Sequence, residues 1–373
     1  MGRLIVLAAA FLVFFSGSLQ SLAFGTIAGL GQNREHERIT RNALSCAQAP
    51  GANCFQPGSI DELAGKSGTF GAVGAPDNPI RGLLSSSAAH CDNGDHLPIP
   101  GYVQSAVAAQ MVLQTCRDWM ETHMQAAVTA ASRLILPDGT IDDSQIPTIV
   151  TCTFTGGSGR AKCDVLEAFG LVLHASEDFY SHTNWVDLPD LSLPVGTTTN
   201  PPGLGQGFPA PWLDLRNPSP PFPPGLISGC FDKIPEQFFC NDGPGRTKHH
   251  DINKDKGTID PSITGPNTPR GQVAGNFHRA VSVAIADTRD KWRILQERLN
   301  STYGGPRASL MICALTHDDP ASTCGAPGQR KWSPFDIFNS LTITIGSLAA
   351  LGGGGFYLAG RRRRDRGGAE QPA

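Results

Sequence analysis

The sequence predicts an all-α fold: a helical bundle with long disulfide-tied loops, followed by one membrane-crossing helix at the C-terminus. Three observations point to it. Apolar residues recur with a period near 3.6 over Tyr102 to Leu136, 163 to 183 and Arg279 to Leu299. No run alternates as a half-buried strand would, and there is no internal repeat. The 43 glycines and 29 prolines concentrate in Pro189 to Pro224 and Gly243 to Gly271, which read as long loops set between helices.

Met1-Gly2-Arg3, the apolar run Leu4 to Phe15 and the small residues up to Ala23 have the pattern of a signal peptide, 1–23. An uncleaved anchor is the alternative, but the run is shorter than the roughly 20 residues a span needs. Cleavage after Ala23 makes Phe24 the first residue. The chain between there and the C-terminal segments is long enough for one large domain or two small ones. Arg34 to Leu44 reads as a short helix, with Glu35 and Glu37 favouring its positive end. Tyr102 to Leu136 is alanine-rich and amphipathic. Val165, Leu166, Phe169, Val172 and Leu173 make 163 to 183 apolar nearly all round, as in a helix buried in a bundle. Val283, Ala284, Trp292 and Leu295 supply the core face of Arg279 to Leu299.

Ile337 to Gly360 carries no charge and precedes Arg361 to Arg364 and Arg366. It reads as a transmembrane anchor, 337–360, with a basic cytoplasmic tail, 361–373, and the N-terminal domain outside. A disordered tail is the alternative, because Gly352 to Gly355, Thr342, Thr344 and Ser347 weaken the span. An exported chain with ten cysteines implies disulfides. Sequence neighbours suggest the pairs Cys46 with Cys54, Cys91 with Cys116, Cys152 with Cys163, Cys230 with Cys240 and Cys313 with Cys324, although spacing does not prove them. A zinc-thiolate site is weak, since no Cys-x2-Cys occurs. Net charge is −3 and 17% of residues are charged, which disfavours a nucleic-acid groove.

The chemistry concentrates at His174, Asp178 and His182, three metal-capable groups spaced every fourth residue on one helix face. Burying imidazole, carboxylate and imidazole without a partner is expensive, and a zinc ion removes that cost. Elsewhere His36 opens the first helix, Asp77 sits in Ala75-Pro76-Asp77, His90 precedes Cys91, and His278 opens the last helix. His249, His250, Asp92, Asp95 and His96 read as solvated loop residues, and His123 and His317 as surface or packing residues. Phe179, Tyr180 and Trp185 are core, or else line a lipid or base pocket.

The order His36, Asp77, His90, His174 with Asp178 resembles the zinc-dependent phospholipase C and single-strand nuclease fold. A closer resemblance, over roughly residues 24 to 300, is to Het-C-like (heterokaryon incompatibility) proteins. It is carried by Phe24-Gly25, Asp178-Phe179-Tyr180-Ser181-His182-Thr183-Asn184-Trp185-Val186-Asp187-Leu188, Ile252-Asn253-Lys254-Asp255 and the His278 helix. The resemblance implies a helical domain over 24–330 and two or three zinc ions. Asp77, His90 and His174 would hold one ion, and Asp178 would bridge to a second held by His36 and the Phe24 amine. The ligands of a third are open: the family's later His-x3-Glu is here His278 with Ser282, so His182, His249 or His250 with His278 would be needed. The implied activity is hydrolysis of a phospholipid or other phosphodiester by metal-bound water, with Asp77 and Asp178 as catalytic residues. A non-enzymatic cell-surface recognition module retaining the fold is the alternative.

Overall fold

The most apolar stretch of the sequence becomes the axis of the molecule. The computed structural model describes residues 24–325 other than 27, 30–31, 67–68, 148–151, 157–158, 233–239, 241–244, 258–265 and 267. In chain order its helices are α1 (Glu35–Leu44), α2 (Pro57–Ala64), α3 (Ser87–His90), α4 (Ala106–Ala131), α5 (Ala161–His182), α6 (His249–Ile252), α7 (Pro269–Gln272), α8 (Asn276–Tyr303), α9 (Gly305–Thr316) and α10 (Pro320–Thr323). A two-residue hairpin, Ala28–Gly29 with Gln32–Asn33, is the one sheet among the described residues. Helix α5 is buried at every position from Val165 to His182, and α4, α8, α1 and α2 pack around it.

The reading of the fold as helical is borne out, with small changes at the ends. The segment expected from Tyr102 begins at Ala106, because the Ser105 hydroxyl accepts the Ala108 N–H at 3.1 Å and caps the first turn. The last long helix runs from Asn276 to Tyr303, past both expected limits, and Gly304 at φ 79° ends it. Helices α2 and α9 are additions to the expected set. A single apolar cluster joins Phe24, Leu113, Phe169, Tyr180, Trp212, Phe277, Leu295 and Leu315. Each such fully buried side chain contributes about 1.5–3 kcal/mol.

All five neighbouring cysteine pairs are disulfides, Cys46–Cys54, Cys91–Cys116, Cys152–Cys163, Cys230–Cys240 and Cys313–Cys324. They tie loops to helices, as expected of a chain from an oxidising compartment. The expected signal peptide, 1–23, anchor, 337–360, and tail, 361–373, lie outside the described residues. Among those described, no helix is long and apolar enough to cross a membrane.

Two close approaches set up the chemistry. A Cβ at Gly170 would lie 2.4 Å from the Ala72 carbonyl carbon, so glycine there lets the 72–77 segment press onto α5. A Cβ at Gly229 would lie 2.4 Å from the His249 Cα, so glycine there admits α6.

Candidate metal centre

Helix α5 presents His174, Asp178 and His182 inward on one face, and the other elements bring partners to them. The 3-10 turn Ala75–Asp77 carries Asp77, α3 ends on His90, α1 begins beside His36, and the chain enters the core at Phe24. Asp178 is the hub. Its Oδ2 lies 2.9 Å from His90 Nδ1 and 3.1 Å from His174 Nε2. Its Oδ1 lies 3.1 Å from His36 Nε2, 3.6 Å from His182 Nε2 and 3.3 Å from the Phe24 N. Asp77 Oδ1 stands 3.8 Å from His174 Nε2. Each oxygen of this one carboxylate therefore faces different imidazole nitrogens, and His36, Asp77 and His174 also come close enough to one another to offer ligand atoms to a single ion.

A second group forms beside the first, around His182. Its Nε2 is 3.1 Å from Asp255 Oδ1, and His249 Nε2 is 3.3 Å from Asp255 Oδ2 and 4.0 Å from Asp92 Oδ1. Ligands about 2.0–2.1 Å from a tetrahedral zinc ion are about 3.3 Å from one another. Both groups match that spacing, and their side chains could hold a metal ion.

The ring tautomers sharpen this. His174 Nδ1 meets the Val73 carbonyl at 2.8 Å, His182 Nδ1 the His90 carbonyl at 2.7 Å, and His90 Nε2 the Leu83 carbonyl at 3.2 Å. A carbonyl cannot donate, so these outward nitrogens carry the protons, and in the neutral rings the inward nitrogens are bare lone pairs. His174 Nε2 and His90 Nδ1 then face each other at 3.1 Å with no proton between them. His36 Nε2, Asp77 Oδ1, Asp92 Oδ1, His182 Nε2 and Asp255 Oδ2 are buried with no hydrogen-bond partner. So many inward acceptors in one place are unfavourable without positive charge.

Protons respond to the same deficit. Burial opposes a charge on His36, but the Asp178 and Glu177 carboxylates outweigh it and push the imidazole up to about 10. His182 is likewise raised against its burial, by Asp178, Asp92 and Asp255. Burial would raise Asp178, yet His182, His174 and His36 hold it well below the usual carboxylate range.

Supporting residues fix the ligands. Glu177 accepts from His36 Nδ1 at 2.7 Å and from the Thr40 and Thr288 hydroxyls, each at 2.9 Å. This carboxylate–imidazole pairing orients a ligand and raises its basicity. Lys254 is fully buried and holds Asp187 Oδ1 at 2.8 Å and the Thr183 and Ile252 carbonyls at 2.9 Å. It thereby pins the loop bearing Asp255 to the end of α5, where Ser181 donates to Asp255. Asn184 joins three loop segments through Pro202, Gly225 and Ile227.

Of the residues singled out in the sequence, Phe24, His36, Asp77, His90, His174, Asp178 and His182 come together here. His278 does not. It is half-buried at the start of α8, edge-on to Phe277, and belongs to neither group. Asp92, read as solvated, His249, read as solvated but offered by the resemblance for a third ion, and Asp255, not singled out as a ligand, come together around His182 in its place. Asp95 binds Tyr102 and Arg246 instead, and His96 binds the Gln104 carbonyl. The pocket alternative for Phe179, Tyr180 and Trp185 fails because all three are buried in the core. Cys313, His317 and Cys324 also cluster, but the two sulfurs are bonded to each other and are not available to a metal. The most exposed of these candidate ligands is Asp77, with 8% of its side chain in solvent.

Comparison with known protein families, curated proteins and solved structures finds no match to this chain.

Proposed function

We propose that this protein is an extracytoplasmic zinc-dependent phosphoric ester hydrolase of the phospholipase C type, related to the Het-C-like proteins. The observation that carries the reading is Asp178, whose two oxygens each face a different set of imidazole nitrogens, 2.9–3.6 Å away. In this reading Asp77, His90, His174 and Asp178 hold one zinc ion. His36, Asp178 and the Phe24 amine freed by cleavage after Ala23 hold a second. Asp92, His182, His249 and Asp255 hold a third in place of the set with His278. Bound there, such ions supply Lewis acidity toward a phosphate oxygen and make a water acidic near neutral pH.

The protein's own part is positioning. Asp77 accepts the Thr26 hydroxyl on Oδ2 at 2.7 Å, which turns Oδ1 toward the centre. As the carboxylate closest to solvent, it is placed to orient a water and receive its proton. The phosphodiester enters on that side. Near-neutral composition favours a phospholipid over nucleic acid as partner, and the expected anchor, 337–360, keeps the domain at the outer face of a membrane.

One observation favours the second reading, a recognition module with structural metals: His36, His174, Asp178 and His182 are fully buried. The two separate on the full-length mature protein. Two or more zinc ions per chain, with hydrolysis of a phosphodiester or phospholipid that Asp178→Asn abolishes, support the enzyme. At most one metal ion with no turnover on either substrate supports recognition, and absence of metal sinks the enzyme.

A further inference from the structure

Apart from Ile80, the large apolar side chains that stand exposed among the described residues lie on two stretches of the chain. Leu191 is 86% exposed, Val107 66% and Met111 65%, and Leu193, Val195 and Phe208 are about half exposed. All lie on two stretches of the loop layer nearest the second His/Asp group. One, 188–213, continues from His182 off the end of α5. The other, 97–116, lies just beyond Asp92 and runs into the first turns of α4. Arg117, next after the second stretch, binds the Trp212 carbonyl at 2.9 Å, and Leu97 packs on Ile227, whose N–H is accepted by the same Asn184 amide that donates to the Pro202 carbonyl, so the two stretches share one base.

Charge is nearly missing from both. Residues 97–116 have none, and 188–213 have Asp190 alone. Asp190 is satisfied within the loop, by the Ser192 N–H at 2.9 Å and the Ser192 hydroxyl at 2.7 Å. Asn200 holds the Asp190 carbonyl at 2.9 Å and is itself held by Arg270 at 3.1 Å. The apolar tips thus stand on a satisfied, fixed polar base. A protein partner is normally met by an apolar centre with a polar rim. Long uncharged stretches with apolar tips suit hydrocarbon instead.

We propose that this end of the molecule docks on a lipid surface, with Leu191, Leu193, Val195 and Phe208 entering an uncharged or zwitterionic bilayer beside the metal centre. For its purpose this rests on the hydrolase reading, since it holds the protein on the surface that carries lipid phosphoesters. Chain length outside the described residues agrees. Gly325 shares a cleft with Thr140 and Asp143, and Gln145 binds Ala161 at the start of α5, so the tail leaves from the opposite end. Residues 326–336 precede the apolar run at Ile337, and fully extended they reach roughly 36–40 Å. Helix α5 is only about 33 Å long. A chain anchored through 337–360 can therefore still lay its far end on the same bilayer.

The test places an environment-sensitive fluorophore at Leu191→Cys or, as control, at exposed Asn300→Cys in the full chain. Either new thiol is labelled alone, because the ten native cysteines are paired. In phosphatidylcholine vesicles the Leu191 probe shifts to the blue and is quenched several-fold more by acyl-chain nitroxides than the Asn300 probe. Quenching of the Leu191 probe by aqueous iodide alone overturns the proposal. Protection that rises with protein density, without acyl-chain quenching, overturns it in favour of a second copy covering the patch. The readout needs no turnover, so failure of docking and failure of hydrolysis register separately.

Discussion

Asp178 is useful only because other side chains hold its imidazole partners in place, and Glu177 is the clearest of these. Glu177→Gln keeps the size of the side chain and removes its charge, so the His36 ring loses the carboxylate that orients it. The expected result is a 10–100-fold weaker hold on the ion shared by His36 and Asp178, read by competition with a chelator, with helix content unchanged. An unaltered affinity would show that the packing of α1 alone orients His36. The second group is tested through Asp255→Asn, which should remove about one metal equivalent while leaving the ligands on the Asp77 side loaded. At this scale the sequence made part of the centre legible. His174, Asp178 and His182 repeat every fourth residue on a helix with no solvent face, so their polarity required partners. Asp92, His249 and Asp255 show no such periodic sign, since each lies in a stretch of sequence rich in Gly, Pro and polar residues where a solvated carboxylate or imidazole is ordinary, and only the resemblance offered His249. The one available cue was His182 itself, a third inward group one turn beyond Asp178 and in need of ligands of its own.

The elements matter through the joints between them. Helix α3 has only four residues, Ser87–His90, and its C-terminal residue His90 serves the first group while Asp92 serves the second. Between them Cys91, at φ 54°, is bonded to Cys116 on α4. This disulfide closes a loop with a sequence separation of 25, and removing such a constraint costs about 3.5 kcal/mol by chain entropy. The double variant Cys91→Ser/Cys116→Ser should unfold at lower denaturant and also lose affinity for metal at both groups. Lower stability with full metal affinity would limit the disulfide to a general clamp. Helix positions were readable from periodicity because a buried face needs a 3.6-residue repeat whatever lies opposite it. Their ends were less so. Ser105, Gly304 and the turn after Arg34 decide the boundaries through local hydrogen bonds and backbone angles that periodicity does not register.

For the molecule as a whole, a metal bound at these groups would couple to folding, because inward lone pairs on helices and loops distant in sequence repel one another without a cation between them. An ion present at about 1,000 times its dissociation constant adds about 4 kcal/mol to the folded state. A chelator should therefore lower the melting temperature by several degrees, and so should acid, which protonates the imidazoles and releases the ions. A melting temperature indifferent to chelator would remove the metals from the account of stability. Away from the centre, Lys162 is buried against the Ser59 hydroxyl and the His317 carbonyl at 2.9 and 2.7 Å. Burial pushes it down to about 8, against the partial support of Asp318 and Glu62. Its folded value lies below its unfolded one, so from about pH 8 to 10.5 the unfolded chain binds a proton that the folded chain lacks. Stability should rise over that range, by on the order of 3 kcal/mol from this group. Lys162→Met should flatten the rise, and an equal slope in the variant would assign it to other groups. The helical class and the His/Asp row on α5 were legible in the sequence alone, and the local disulfides were suggested by it, because each arises from contacts within a few turns or between near neighbours in the chain. Which other residues complete the two His/Asp groups, and that His278 is not among them, was decided only by tertiary structure. These residues lie on segments scattered from Phe24 to Asp255, and only the packing of α1, α3, the 72–77 segment and α6 around α5 brings them together in the two groups.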